Sequence, residues 1–474
     1  MVVIGAGAAG LVAAGMAALL GAKTALVEKH RLGGDCTWMG CVPSKTLLKT
    51  AKVAHDMRNA QRFGLASFPP VISFERVMDH VRSVRKQVYD DADAPPYMEK
   101  LGVEVIEAGA RFLDPSAIEI REASGQTRRI TSRFFCIATG SRPKMPRFSV
   151  TPLTNETLFE LTSQPKELLV IGGGPIGIEM AQAFQRLGST VTVVTSDTRI
   201  LVKDDSGHAE ILREALASEG VSFIFERQVR ALDRRPTGLI ATLDDGQTIL
   251  CDAALAATGR EPTVEGLDLD NAGVKLGKKG IEIDRHCRTS RRNIYATGDV
   301  TGRYEFTHIA EHMSKVAVTN AILRWPRSLD EKHIVWCTYT HPELARLGES
   351  EADVRKRGSQ CSVFRLPFSK LDRAITEGET AGEVKVITDR SGRILGASIV
   401  GVNAGEMISE YALAMRNGLR IAQIADTIHP YPTYLLGNRL TADQWYTRQL
   451  DSPLLGLLAR VFGYRGLRKG ASVL

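Results

Sequence analysis

Cys36 and Cys41 stand five residues apart in the segment Gly33-Gly34-Asp35-Cys36-Thr37-Trp38-Met39-Gly40-Cys41-Val42-Pro43-Ser44-Lys45. Two close thiols can form a redox disulfide, hold a metal, or simply fill space. In a regular α-helix, residues five apart have Cα atoms about 8–9 Å from each other, and a disulfide needs less than about 7 Å. A Cys36–Cys41 bridge therefore requires an irregular turn, which Gly40 can supply. Pro43 suits the first turn of a following helix. A thiol at such a helix start has a favoured thiolate, because the dipole end is positive. Zinc is the competing ligand, but no second Cys or His pair with ligand spacing lies nearby. Two buried structural cysteines are the remaining reading.

Two glycine-rich loops could carry phosphates. Gly5, Gly7 and Gly10 follow the apolar run Val2-Val3-Ile4 and precede a helical run from Leu11 to Leu20, which Gly21 stops. The next strand, Thr24 to Val27, ends at Glu28, 18 residues after Gly10. Gly5 serves the turn, Gly7 the close approach of backbone to pyrophosphate, and Gly10 the packing of helix on strand. The helix N-terminus supplies unpaired N–H groups, and Glu28 can accept hydrogen bonds from an adenosine ribose. Gly172, Gly174 and Gly177 repeat the pattern 167 residues later, after Leu168–Ile171 and before a helix that runs to Leu187 and Gly188. Here the following strand ends Val194-Thr195-Ser196-Asp197, without an acid at Thr195. An acid there favours NADH by binding the 2′-hydroxyl and repelling a 2′-phosphate. Thr195 and Ser196 can donate to a phosphate and Arg199 is near, so the reading leans to NADPH, with Asp197 in the acid's role as the NADH alternative.

These motifs need an α/β framework with two Rossmann-like nucleotide-binding domains. A helical insertion lies between them, with Ser73 as a cap and Val77, Val81, Val84 and Val88 as its apolar stripe. Asp245-Gly246 marks a hairpin turn. From about Glu331 alternating strands, Val384 to Thr388 and Ile394 to Val400, precede a helix from Glu406 to Asn417, which reads as an α+β domain without a phosphate loop. The first strand looks clipped, which a misplaced start or a missing upstream segment would explain. The length of 474 residues suits several domains, and 43% apolar with 24% charged residues excludes a disordered chain. No stretch approaches the ~18 apolar residues of a membrane span. A net charge of +7 is mixed along the chain rather than blocked, which argues against nucleic acid as a partner. Seven cysteines, an odd number and scattered apart from Cys36 and Cys41, are not a secreted disulfide framework, and a reducing cytoplasmic setting is expected.

The segment Gly33–Lys45 resembles the active-site signature of the FAD-dependent pyridine nucleotide–disulfide oxidoreductases, a family that includes dihydrolipoyl dehydrogenase, glutathione reductase and mercuric reductase. The resemblance runs to about Leu450. It implies an FAD-binding domain over 1–145, an NAD(P)-binding domain over 146–265, a return to the FAD domain over 266–330 and a dimerisation domain over 331–450; beyond it, residues 451–474 read as a basic, apolar tail. It implies FAD on Gly5, Gly7, Gly10, Glu28, Thr139, Gly140 and Asp299, the last in a Thr-Gly-Asp motif that holds the ribityl chain. Gly172, Gly174, Gly177, Thr195, Ser196 and Gly259 fall to the nicotinamide cofactor, NADPH or NADH, and Lys45 and Glu179 resemble an ion pair beside the flavin. Cys36 becomes the interchange thiol and Cys41 the charge-transfer thiolate. No metal site is implied. A homodimer is implied, with the partner subunit's Tyr431 completing the catalytic site.

The segment His429-Pro430-Tyr431-Pro432-Thr433-Tyr434-Leu435-Leu436 departs from the thiol reductases of the family. They place a His base just before Pro-Thr and a Glu five residues later; here those places hold Tyr431 and Leu436. Imidazole, with a pKa of about 6.5, shuttles protons at neutral pH, and a phenol near about 10 does so poorly. Mercuric reductases resemble this chain in having Tyr there. They typically also carry a Cys pair near the C-terminus, whereas the last cysteine here is Cys361. His429 reads as a packing residue with a substitute base as its alternative role. The expected function is mercuric-reductase-like transfer of electrons from NAD(P)H to a small-molecule, thiol or metal acceptor that the sequence does not name. Dihydrolipoyl dehydrogenase is the first alternative and a low-turnover flavin-binding redox sensor the second. In the tail, Arg460, Arg465, Arg468 and Lys469 with Leu454, Leu455, Leu457, Leu458, Val461 and Phe462 suit an amphipathic anchor. Gly456, Gly463 and Gly466 weaken any helix, so a packed or frayed terminus is expected rather than membrane contact.

Overall fold

The computed structural model describes residues 1–122, 124–449, 457–458 and 460–463. The chain forms two compact units. One comprises Met1–Arg58, Phe68–Ser196 and Glu226–Asp330; the other comprises Asn59–Ser67, Asp197–Phe225 and the described residues from Glu331 onward.

In the first unit, β-branched and aliphatic runs too short to be helices build a seven-stranded sheet. Its order is Ile294–Ala296, Phe135–Ile137, Val2–Ile4, Thr24–Glu28, Val103–Asp114, Ala117–Glu122, Thr127–Thr131. The first five strands are parallel neighbours. Val103–Asp114 spends its first half on that parallel pairing and its second half in an antiparallel meander with the last two strands. Helix Ala8–Leu19 links the strands Val2–Ile4 and Thr24–Glu28, and Gly21, at φ +83°, ends it as expected. A second parallel set runs Thr190–Val194, Glu167–Ile171, Ala253–Ala256, with helix Pro175–Leu187 ended by Gly188 at φ +105°. Asp245-Gly246 does turn a hairpin, between Gly238–Leu243 and Thr248–Cys251.

The insertion helix forms over Phe74–Val88 but presents a different stripe. Phe74, Met78, Val81 and Arg85 are the buried set, and Ser73 makes no side-chain cap. The valine periodicity misled because Arg85 is buried against partners distant in sequence: its Nη1 donates to the Trp38 carbonyl at 2.8 Å and to Glu160 at 2.7 Å.

The second unit holds a five-stranded antiparallel sheet in the order Val335–Thr338, Glu343–Gly348, Ile394–Gly401, Glu383–Thr388, Ser362–Pro367. Helix Ala404–Arg416 lies on it through Met407, Ile408 and Tyr411, which pack with Phe368, Val384 and Ile399 in one apolar core. Asp205 caps helix Ser206–Ser218 by accepting from the Gly207 and His208 amides. Its other oxygen takes the buried Lys385 ammonium at 2.6 Å, and Glu351 lies 3.1 Å from the same nitrogen. The fully buried His208 is bound by Ser398 on Nδ1 at 2.8 Å and by Glu383 on Nε2 at 3.1 Å. The tail reading falls mostly outside the described residues; within them Leu457, Leu458, Val461 and Phe462 are exposed. Among the described residues no helix is long and apolar enough to cross a membrane.

Lys385→Met leaves the carboxylates of Asp205 and Glu351 without their buried counter-charge. It should cost about 3–5 kcal/mol of stability, read as a lower denaturation midpoint in urea.

Candidate active site

The two glycine loops have one geometry. A Cβ on Gly5 (φ +99°) would sit 2.4 Å from the Ala138 carbonyl oxygen, and one on Gly172 (φ +119°) 2.3 Å from the Ala257 oxygen. A Cβ on Gly10 would meet the Gly5 oxygen at 1.8 Å, and one on Gly177 the Gly172 oxygen at 2.3 Å. Gly7 and Gly174 are the residues at which the two helices begin, in extended conformation. At both places the backbone itself fills the space a side chain would need, so the spacing is steric and the helix amides are left facing outward. Glu28 locks the first loop: Oε2 accepts the Ala6 amide at 2.7 Å and Oε1 the His30 amide at 2.9 Å.

The cysteine segment is docked on that loop. Gly33 and Gly34 are both left-handed, at φ +96° and +59°, and the Gly33 amide donates to the Ala6 carbonyl at 2.9 Å. A Cβ on Gly34 would lie 2.5 Å from Gly7 Cα. The short helix Gly34–Trp38 carries Cys36 and stops at Met39, and Cys41 opens the helix Cys41–Arg58. The irregular turn expected at Gly40 is there: a Cβ on it would lie 3.0 Å from Asp35 Oδ2 and 3.3 Å from Cys36 Cα. The fold brings the two thiols into a hydrogen bond with each other. Among the described residues no group of three or more His, Cys, Asp or Glu is placed to hold a metal ion.

The electrostatics of the pair are asymmetric. The Cys36 thiol donates to Cys41, and that bond together with burial pushes the Cys36 pKa up. The same bond, helped by the Lys45 ammonium and the Thr307 hydroxyl, pulls Cys41 down to about 6 against the opposing effects of burial and Glu179. Lys45 Nζ is 2.9 Å from Glu179 Oε2, so the ion pair expected from sequence forms. Thr307 Oγ1 lies 3.6 Å from Cys41 Sγ. Sequence reasoning missed Thr307, which lies 266 residues from Cys41 and is brought there by tertiary structure alone.

A second network, also unforeseen, surrounds Asp35 beside Cys36. Asn155 Nδ2 donates to Asp35 at 2.8 Å, and the half-buried Arg260 lies 3.3 Å from the same carboxylate. Arg260 also approaches Asp299 at 3.8 Å and donates to Ser141 Oγ at 2.7 Å, while Ser141 donates to Asp299 at 2.7 Å. Burial pushes the Asp299 carboxyl up in spite of those partners.

Comparison with known proteins matches residues 1–314 to the model of the pyridine nucleotide-disulphide oxidoreductases and residues 334–436 to that family's dimerisation domain. The chain belongs to the pyridine nucleotide-disulphide oxidoreductase family. It is 33% identical to a dihydrolipoyl dehydrogenase of Bacillus subtilis, over 91% of this chain and 95% of that one. It is 32% identical to the mercuric reductase of Streptomyces lividans, over 93% and 95%. Similar solved structures are LpdA from Mycobacterium tuberculosis, with a TM-score of 0.87 at 27% identity over 94% of this chain and 99% of that one, and the HOCl-induced flavoprotein disulfide reductase RclA from Escherichia coli, with 0.83 at 27% over 93% and 98%. RclA has also been solved as a Cu(II) complex.

The family is one of enzymes that use FAD and NAD(P)H. The residues present fit FAD: a side-chain-free cradle at Gly5, Gly7 and Gly10, the Glu28 carboxylate at the strand end, and a buried carboxylate at Asp299. Other residues expected to contact cofactors have tasks within the protein. Thr139 Oγ1 donates to the Thr263 carbonyl at 2.6 Å, and Gly140 (φ +69°) accepts the Thr263 amide at 3.0 Å. Gly259 (φ +114°) accepts the Lys144 amide at 2.9 Å. Thr195 is buried, its methyl and hydroxyl 3.3 Å from where a Cβ on Gly173 would sit, and Ser196 is exposed. Arg199 does not stand open for a 2′-phosphate: its guanidinium donates to the carbonyls of Ile200, Leu201, Val202 and Asp204.

In the second unit Tyr431 is 69% exposed, and its hydroxyl donates to Asp372 at 2.8 Å; that bond and the carboxylate's charge push the phenol's pKa up. Leu436 is buried. His429 is buried with both ring nitrogens occupied, Nδ1 by the Thr427 carbonyl at 2.8 Å and Nε2 by Glu410 at 2.8 Å.

Lys45→Met removes the ammonium that favours the Cys41 thiolate. The midpoint of Cys41 alkylation against pH should rise from about 6 toward the ordinary thiol value of about 8.5. Thiolate, and with it reactivity, is lost as pH falls through that midpoint, so the largest deficit of the variant lies between the two values.

Proposed function

We propose that this chain is a homodimeric NAD(P)H-dependent flavoprotein whose Cys36–Cys41 pair delivers two electrons to a soft metal ion, as in mercuric reductases, rather than to a disulfide. In this reading residues 1–145 and 266–330 form the FAD-binding domain, 146–265 the NAD(P)-binding domain and 331–450 the dimerisation domain. Gly5, Gly7, Gly10, Glu28 and Asp299 hold FAD, and Gly172, Gly174 and Gly177 hold the nicotinamide cofactor. FAD, when bound, takes the nicotinamide hydride and makes its two electrons available to the cysteine pair. Cys36 meets the acceptor, and Cys41 keeps the thiolate. As the Cys36–Cys41 S–S bond closes, the Cys36 thiol proton passes to water and two electrons leave the sulfurs, enough to take one Hg(II) to Hg(0) or two Cu(II) to two Cu(I).

The observation that carries this reading is the state of Tyr431 and His429. Opening a disulfide substrate at neutral pH calls for a base that takes and returns protons. Tyr431 has one O–H, which is given to Asp372, and both His429 ring nitrogens are occupied. A metal–thiolate acceptor needs no such shuttle. The likeness to the Streptomyces mercuric reductase and to RclA, which has been solved with Cu(II), supports the same class. For the nicotinamide, the exposed Ser196, just beyond the strand Thr190–Val194, is the donor offered to a 2′-phosphate.

The test is steady-state oxidation of NADH and of NADPH by the purified holoprotein with Hg(II), Cu(II) or lipoamide as acceptor. Metal-dependent turnover should exceed lipoamide turnover and vanish in Cys36→Ser. The double variant Tyr431→His/Leu436→Glu should raise lipoamide turnover about 100-fold. Lipoamide turnover that outruns both metals in the parent protein identifies a dihydrolipoyl dehydrogenase instead.

A further inference from the structure

Reduction of the pair leaves a charge to be placed. One hydride equivalent from the nicotinamide carries two electrons and one proton. The S–S bond breaks, one sulfur takes the proton, and the other is left as a thiolate. Two sulfurs then share one negative charge, and relay chemistry needs that charge in a defined place.

Thr307 is built to decide it. It is the first residue of the helix Thr307–Val318, and its Oγ1 is 3.6 Å from Cys41 Sγ. The same hydroxyl is within hydrogen-bonding reach of Cys36. A threonine hydroxyl has one proton to donate, so it can serve only one sulfur at a time. The Cys36 thiol already donates to Cys41, and Lys45 stands on the Cys41 side with Glu179 as its counter-charge. A Thr307 bond to Cys41 therefore adds a second donor to the same sulfur, whereas a bond to Cys36 would oppose the rest of the site. The start of the Thr307–Val318 helix acts in the same direction, since its positive end favours an anion.

We propose that the Thr307 hydroxyl is a catalytic group of the reduced pair: it gives its single proton to Cys41 and so keeps the negative charge left by reduction on that sulfur and off Cys36. The group is silent in the disulfide, where neither sulfur is charged. It stabilises the reduced form selectively and makes the pair easier to reduce, because a held thiolate raises the reduction potential of a dithiol couple. The inference rests on the reading of Cys36 and Cys41 as a redox couple.

The experiment equilibrates holoprotein with graded dithiothreitol redox buffers, traps free thiols, and reads the state of the Cys36–Cys41 peptide by mass spectrometry, with no turnover required. Thr307→Val should need about tenfold more reducing buffer for half-reduction, about 30 mV more negative. Thr307→Ser, which restores the hydroxyl, should stay within about twofold of the parent. Thr307→Ala carries the same expectation as Thr307→Val and replaces it if the valine variant fails to fold. A Val or Ala variant that titrates with the parent overturns the proposal, as does a Ser variant that follows Val, since the hydroxyl would then not be what sets the potential. A parent pair that never forms a disulfide in the most oxidising buffer overturns the redox reading itself, and the two failures are distinguishable.

Discussion

The approach of Gly34 to Gly7 is the constraint on which the site depends. A methyl group at Gly34 would fall 2.5 Å from Gly7 Cα, inside any tolerable contact. Two consecutive left-handed residues and the Gly33-to-Ala6 hydrogen bond press the start of the cysteine segment onto the first glycine loop. Left-handed backbone is almost free for glycine and costly for other residues. The first glycine loop and the residues that lead into the thiols are therefore one rigid piece, and whatever lies along the loop is presented to the sulfurs.

Within that piece, charge is distributed by competition. Loss of water around the sulfurs opposes a thiolate on either, although Cys41 keeps an exposed face and Cys36 is half-buried, and the donors decide between them. Cys41 receives the Cys36 thiol, the Lys45 ammonium and the Thr307 hydroxyl; Cys36 spends its own proton. Glu179 works against the Cys41 thiolate, yet it also fixes Lys45 at 2.9 Å. An ion pair beside the sulfurs thus positions a cation whose field the thiolate uses, and partly offsets that field in doing so.

The second unit shows how polar groups near a functional motif can be withdrawn from it. His429, two residues before Tyr431, is sealed between the Thr427 carbonyl and Glu410, whose other oxygen accepts from Asn438 at 2.9 Å. Arg199 closes the turn that follows it by binding four carbonyl oxygens. Both residue types invite a chemical role when read from sequence, and in both cases satisfying buried or turning backbone takes precedence.

Local sterics and periodicity are legible in the order of the residues. Gly5, Gly10, Gly172 and Gly177 are legible because each answers to a carbonyl or backbone atom that only glycine can face, and Cys36 and Cys41 because their interval demands the break at Gly40. The Asp245-Gly246 hairpin and the helix stops at Gly21 and Gly188 follow from the same rule. Tertiary structure alone decided the stripe of the Phe74–Val88 helix, where Arg85 finds its partners in Trp38 and Glu160, and the meeting of Thr307 with a cysteine 266 residues away. It also decided that Arg260 stands between Asp35 and Asp299. Such pairings carry no spacing signal, since what joins them is the order of strands in a sheet, and their energy exists only once that sheet is closed.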